Sequence, residues 1–362
     1  MSASTPDRSR VVLTDISPLA YEHPADRAAL SSLKTIRGFD QMLSWLSGLF
    51  RDRSHRLFYL SSAVRASDRQ FGRVHVLITD GARILDLPRV PECYVTQGPA
   101  PLAMTLGRDT PFVVLSSGML ELLDDEELRF VVGHELGHVL SGHAVYRTML
   151  DHLVRLSRRV FWLPIGYLGL RTLVAALEEW YRKSELSCDR AGLLAGQDPA
   201  AALRAQMKIA GGSTLADMDV TEFLEQAREY DATGTLRDSV IKLLQLEGRT
   251  HPLAVVRAAE LRRWVDEGDY QRILSGDYPR RGEEPPPPRE EWRAAASSYR
   301  DSVERSADSL LTLLRSVGEE VVGAGARVAD RVRQQRAERP GGAEPAGTGD
   351  GDGTEGSDAA GE

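Results

Sequence analysis

Cysteine is nearly missing from this chain: Cys93 and Cys188 are the only two in 362 residues. A disulfide framework is therefore excluded, and a reducing compartment fits without strain. Lysine is scarce too, confined to Lys34, Lys183, Lys208 and Lys242 among 45 basic residues, a bias that fits high-G+C coding rather than function. Surplus positive charge is absent, since 53 acidic residues outnumber the basic ones and set the net charge at −8. The segment from Gly341 onward holds six acids and no base, which leaves −2 for the rest. That balance excludes a general nucleic-acid binder. Met1 to Arg10 carries Asp7, Arg8 and Arg10 and leads into no long apolar run, so it does not read as a secretory signal, and a cytoplasmic location is expected.

A convincing membrane span is lacking as well. The most apolar stretch, Val160 to Leu177, is interrupted by Pro164, Gly166, Gly169 and Arg171. Its residues would cover about 27 Å as a helix against a hydrocarbon core of about 30 Å. It reads as a buried helix or a lipid-facing surface patch.

What the chain does have is 42% apolar content, ample for a buried core. Apolar residues recur at helical spacing from Pro24 to about Leu57 (Leu30, Leu33, Ile36, Phe39, Met42, Leu43, Leu46), predicting one or two amphipathic helices. A helical stretch from Asp68 to about Leu87 precedes three short apolar runs, Cys93–Thr96, Leu102–Leu106 and Phe112–Leu115, which read as strands of a small sheet. Asp124 can cap the next helix, with Glu127 three residues on reaching back to it. Further helices are expected at Pro199 to about Ala210, Val220 to about Tyr230, Leu236 to Leu246 and Pro252 to about Val265.

The expected organisation is a flexible N-terminus (1–19), a globular domain (20–280, core 91–261), a Pro-rich linker (281–289), a long amphipathic helix (290–339) and a disordered acidic tail (340–362). The linker is marked by Pro285 to Pro288 and the long helix by Trp292, Ala296, Tyr299, Val303, Leu310, Leu314, Val317 and Val321 at steps of three, four or seven. The tail contains no aromatic residue.

His134-Glu135-Leu136-Gly137-His138 is an H-E-x-x-H motif inside the capped helix. The four-residue spacing puts both imidazoles on one face, where they can share a tetrahedral metal, with Glu135 beside them to handle its water. Chance would yield roughly 0.01 such motifs in this composition. A catalytic zinc needs a third protein ligand and an open position. His143 is one candidate, but the extended H-E-x-x-H-x-x-G-x-x-H pattern would need Gly at 141 and His at 144, where this chain has Ser141 and Ala144. Glu185 is the other. On a helix Glu185 and Asp189 share a face, so the glutamate can bind metal while the aspartate accepts the outer N–H of a ligand histidine. Cys188, three residues after Glu185, and Cys93 read as small buried packing residues.

At this point the sequence resembles a known family. Leu122 to Leu128, His134 to His138, Glu185-x-x-x-Asp189 and Arg249-Thr250-His251-Pro252 followed by Arg257 match in order the HtpX-like and type I CAAX prenyl protease family of zinc metallopeptidases, which are gluzincins. The resemblance covers roughly Pro91 to Leu261. It implies an α+β, mainly helical gluzincin-type metalloprotease domain with a small sheet beside the active-site helix, here followed by a C-terminal amphipathic helix. It also implies endopeptidase activity, one zinc at His134, His138 and Glu185, Glu135 as base, and an edge strand that holds substrate extended. One departure stands out: where the family often has Asn-Ala in that strand, this chain reads Leu102-Ala103-Met104.

Zinc lowers the pKa of bound water and polarises the scissile carbonyl, while Glu135 takes the proton and returns it to the leaving amine. His251 and Arg257 are the candidates for stabilising the transition state, against a strong alternative for each, Arg257 as a holder of a carboxylate and His251-Pro252 as a helix start. The expected partner is a peptide or protein substrate. Segments 160–177 and 290–339 are the candidates for peripheral membrane contact, and 290–339 for pairing with another copy. The competing function is a zinc-stabilised scaffold that has lost turnover and acts through its C-terminal helix.

Overall fold

The computed structural model describes residues 9–35, 53–107, 109–159, 164–232 and 254–283. The central Asp125–Leu140 helix starts where Asp124 Oδ1 accepts the Glu127 amide (2.9 Å) and Glu127 Oε2 accepts the Asp124 amide (3.0 Å). This reciprocal cap satisfies donors that a helix N-terminus otherwise leaves open. Glu127 is fully buried, and Lys208 Nζ, 2.6 Å away, offsets its charge. Every residue from Glu127 to His138 is buried, because neighbours enclose this helix on several sides.

Those neighbours follow in chain order. α1 (Pro24–Thr35), α2 (Arg53–Ser62), β1 (Val64–Arg65) and α3 (Gly72–Ile84) lead into β2 (Glu92–Thr96), β3 (Ala103–Leu106) and β4 (Phe112–Ser116). After α4 (Ser117–Leu122) and the central helix α5 come α6 (His143–Arg159), α7 (Pro164–Gly196), α8 (Pro199–Gly211), α9 (Val220–Ala232), α10 (Ala254–Asp266) and α11 (Asp269–Leu274). The fold is therefore mainly helical with one small mixed sheet, as expected. The three expected strands are present, and Val64–Arg65 adds a short fourth.

The sheet order is β1-β2-β4-β3, with β2 and β4 parallel and the other two pairings antiparallel. Alternation sorts its side chains. Val113, Leu115, Cys93 and Ala103 join the main core with α3 and α5, while Phe112, Val114, Tyr94 and Leu106 pack on the other face beneath Tyr59. Strand β3 lies at an edge, pairing with β4 through Ala103↔Leu115 to Leu106↔Phe112. Thr148 Oγ1 accepts the Gly107 amide (3.1 Å) and fastens the end of that strand to α6.

α5 and α7 cross with almost no side chain between them. A Cβ on Gly133 would stand 2.4 Å from the Ala195 Cβ, one on Gly137 2.7 Å from the Ala191 Cβ, and one on Gly192 2.7 Å from the Phe130 carbonyl oxygen. Only glycine lets the two backbones approach so closely. Residue 133 meets 192 and 195 while residue 137 meets 188 and 191, so the helices run antiparallel.

Residues 9–19, expected as part of a flexible N-terminus, pack instead. Leu13 and Ile16 are fully buried, the Leu13 amide donates to the Ile84 carbonyl (2.8 Å), and Ile16 bridges to Arg280. The reason is apolar burial: these side chains close the core beside Tyr270 and Ile273.

Residues 164–177 of the 160–177 stretch form the start of α7, with Val174 and Leu177 buried. Among the described residues no helix is long and apolar enough to cross a membrane. The expected helix at Leu236 to Leu246, the long helix at 290–339 and the acidic tail lie outside the described residues, as does the linker from 284 on.

Candidate metal centre

The antiparallel crossing sets the register of the site. With Gly133 and Gly137 seated against α7, His134 comes to Asp189 and His138 to Glu185. His134 and His138 Nε2 lie 3.2 Å apart, Glu185 Oε2 is 3.4 Å from the first, and Glu185 Oε1 is 3.3 Å from the second. All three residues are buried, Glu185 completely. Donors bonded at about 2.0–2.1 Å to a tetrahedral ion stand roughly 3.3 Å apart, so two imidazoles and one carboxylate at these separations fit a borderline ion such as zinc.

Each donor is held by a neighbour. His134 Nδ1 donates to Asp189 Oδ1 (3.0 Å), which fixes the tautomer and leaves Nε2 free to ligate. The His138 ring stacks on Tyr181, with 5.4 Å between centroids and 6° between planes. Arg257 reaches in from α10: Nε donates to Asp189 Oδ2 (2.7 Å), Nη2 to Asp189 Oδ1, and Nη1 lies 3.2 Å from Glu185 Oε2. A buried bidentate arginine of this kind stabilises two carboxylates that burial alone would penalise.

The electrostatics follow. Burial alone would depress the His134 imidazolium, yet Glu185 and Asp189 outweigh it and raise the group to about 9, so a metal taken up at Nε2 displaces the proton from that nitrogen. Burial works against the Asp189 carboxylate, but Arg257 and His134 hold it below the usual range. Burial pushes the Cys188 thiol well up, helped by Glu185 and Asp26.

Glu135, next to His134 on α5, accepts a hydrogen bond from Thr105 Oγ1 on β3, 2.7 Å from its Oε2. His143 turns to other partners: Nδ1 is 3.5 Å from Cys188 Sγ and Nε2 is 3.5 Å from Asp26 Oδ2. Among the described residues, two sets thus bring potential ligand atoms within 4.8 Å of one another, His134 with His138 and Glu185, and His138 with His143 and Cys188. Of the residues singled out in the sequence, His134, Glu135, His138, Glu185, Asp189 and Arg257 converge; His251 lies outside the described residues.

Sequence reasoning missed Thr105 and Tyr181. Neither sits in a motif, though strand alternation from Ala103 would have turned Thr105 toward α5. Arg147 was missed as well; its guanidinium lies 4.5 Å from the Tyr181 ring centroid, and burial of the cation is outweighed by Tyr181, Glu185 and Glu135, which raise its pKa.

A family model described as peptidase family M48 matches residues 68–265, more than half of the chain. The chain belongs to peptidase family M48. Among curated proteins, the plastoglobule-localized metallopeptidase 48 (chloroplastic) of Arabidopsis thaliana is 34% identical over 270 residues, covering 73% of this chain and 77% of the relative. A protease HtpX homolog of Tropheryma whipplei is 28% identical over 272 residues, covering 65% of this chain and 85% of its own. No solved structure matches the chain. The M48 domain spans every residue of the convergent cluster, from Thr105 on the edge strand to Arg257 on α10, and this M48 chain is a metal-dependent peptidase acting on peptide or protein substrates.

Proposed function

We propose that this M48 peptidase is a zinc-dependent endopeptidase, with His134, His138 and Glu185 holding the ion and Glu135 serving as general base. The observation that carries the reading is the convergence of two imidazole Nε2 atoms and one carboxylate at 3.2 to 3.4 Å. When bound, zinc supplies a Lewis acid that activates water and polarises the scissile carbonyl. The protein's own groups do the rest. Asp189 keeps the His134 Nδ1 proton in place so that Nε2 presents its lone pair, and Arg257 holds both Asp189 and Glu185 in register. Tyr181 sets the plane of the His138 ring. Glu135 takes a proton from the attacking water and delivers it to the leaving amine. An extended peptide paired along the outer edge of β3 would lie beside Glu135, where the strand's main-chain groups can fix its register.

The test is incubation of metal-loaded protein with a diverse peptide library, the cuts being read by mass spectrometry. Internal cleavage that requires zinc and disappears in Glu135→Gln supports the proposal. Cleavage confined to terminal residues would refute the endopeptidase assignment, and turnover equal to wild type in Glu135→Gln would refute the base.

A further inference from the structure

One polar side chain reaches the site from the sheet, and the motifs give no hint of it. Thr105 stands in the middle of β3, 2% exposed and on the same side as Ala103, facing α5. Its Oγ1 lies 2.7 Å from Glu135 Oε2 and 3.0 Å from the Glu135 carbonyl oxygen. The position of that hydroxyl is set by backbone rather than by a long side chain. Thr105 is paired with Val113 in the β3–β4 ladder, and the strand end is fastened by the Gly107 to Thr148 hydrogen bond.

We propose that Thr105 is the positioning residue of the base, an assignment that rests on reading Glu135 as that base. A hydroxyl carries a single hydrogen. Donated to Oε2, it pins one carboxylate oxygen and leaves Oε1 to take the proton from water. The Glu135 carbonyl, 3.0 Å away, gives the same hydrogen a second acceptor, so the hydroxyl stays satisfied when the proton held on Oε1 removes the carboxylate's charge and weakens the bond to Oε2. A buried donor or acceptor with no such alternative would be costly at that step. Because Thr105 belongs to the edge strand, the base is also tied to the element beside which an extended peptide would lie.

The experiment compares Thr105→Val, which keeps the shape and removes the hydroxyl, with Thr105→Ser, which keeps the hydroxyl. For Val, kcat is expected to fall by about tenfold or more, the usual worth of a hydrogen bond to a charged group, with KM and zinc content unchanged. Ser should restore most of the loss. A binding readout separates positioning from structural support: the affinity of a peptide hydroxamate, measured by calorimetry in wild type, Thr105→Val, Glu135→Gln and the double variant. If Thr105 acts through Glu135, the Val substitution weakens the hydroxamate in the wild-type background and has little effect in the Gln background. Equal weakening in both backgrounds, an unchanged kcat in Thr105→Val, or a Ser variant as impaired as Val would overturn the proposal. Retained turnover in Glu135→Gln alone would instead overturn the base assignment on which it rests.

Discussion

Placing a single methyl group at the α5–α7 crossing tests how the site is assembled. In Gly133→Ala the new Cβ would stand 2.4 Å from the Ala195 Cβ, with Gly192 backbone atoms 3.1 Å away. Non-bonded carbons settle at roughly 3.5–4.0 Å, so the helices must part locally by about 1 Å. Overpacking of this kind costs about 1–3 kcal/mol, and the better helix propensity of alanine returns about 1 kcal/mol, so the net loss of stability should be modest. Metal binding should suffer more. Ligand distances tolerate only about 0.2 Å, and it is α7 that carries Glu185 and Asp189 to the histidines of α5. Purified protein would be dialysed against a weak chelator, its zinc measured by mass spectrometry and its unfolding followed by circular dichroism. We expect zinc affinity to fall by about 10–100-fold, as when the groups that orient the ligands are disturbed, while the melting temperature moves by only a few degrees. Gly72→Ala is the control, because a Cβ there meets nothing within 4 Å. Wild-type zinc affinity in Gly133→Ala would refute the idea that a glycine-mediated approach of the two helices sets the ligand register.

Further outcomes follow from the same geometry. Glu185→Ala should lose most of its zinc, Asp189→Ala should lose about 10–100-fold in affinity or activity, and His143→Ala should retain its metal; zinc content of the three variants after equal dialysis decides, and loss in His143→Ala with retention in Glu185→Ala would reverse the ligand assignment. Glu135→Gln should keep zinc and fold yet lose nearly all hydrolysis, as parallel metal analysis and peptide cleavage would record. Asp26 gives a pH signature. It is buried among Ser187, His143, Glu22 and Arg27, and burial, with some help from Glu22, raises its carboxyl to about 7. The folded state therefore holds a proton that the unfolded chain releases near pH 3.9, so this contribution to stability is full below about pH 4 and is lost as pH rises through about 7, by up to about 4 kcal/mol. Asp26→Asn should flatten that decline in denaturation midpoints measured from pH 4 to 8; parallel profiles for the two proteins would contradict it.

Local chemistry made much of this molecule readable from the chain alone. The Asp124–Glu127 cap, the three short strands and the two histidines one turn apart depend on residues within a few positions of one another, where backbone geometry allows little choice. The long separation between His138 and Glu185 was bridged by the need for a third ligand, by the Glu185–Asp189 pair on one helix face and by resemblance to a family, since no local rule links residues so far apart. What tertiary structure alone decided lies in the contacts between elements. Gly133 and Gly192 look like weak points in their helices, and only the crossing reveals them as the surfaces that bring carboxylates to imidazoles. Arg257 read as a cation for the transition state or, more strongly, as a holder of carboxylates until α10 set it against Asp189 and Glu185. Leu13 and Ile16 fit no periodic pattern, so their burial depended on the cavity that other elements leave open. Thr105 was one residue in an apolar run until the pairing of β3 with β4 aimed its hydroxyl at Glu135. A sequence fixes periodicity and caps through neighbours along the chain, whereas a site assembled from β3, α5, α7 and α10 depends on distances that only packing sets.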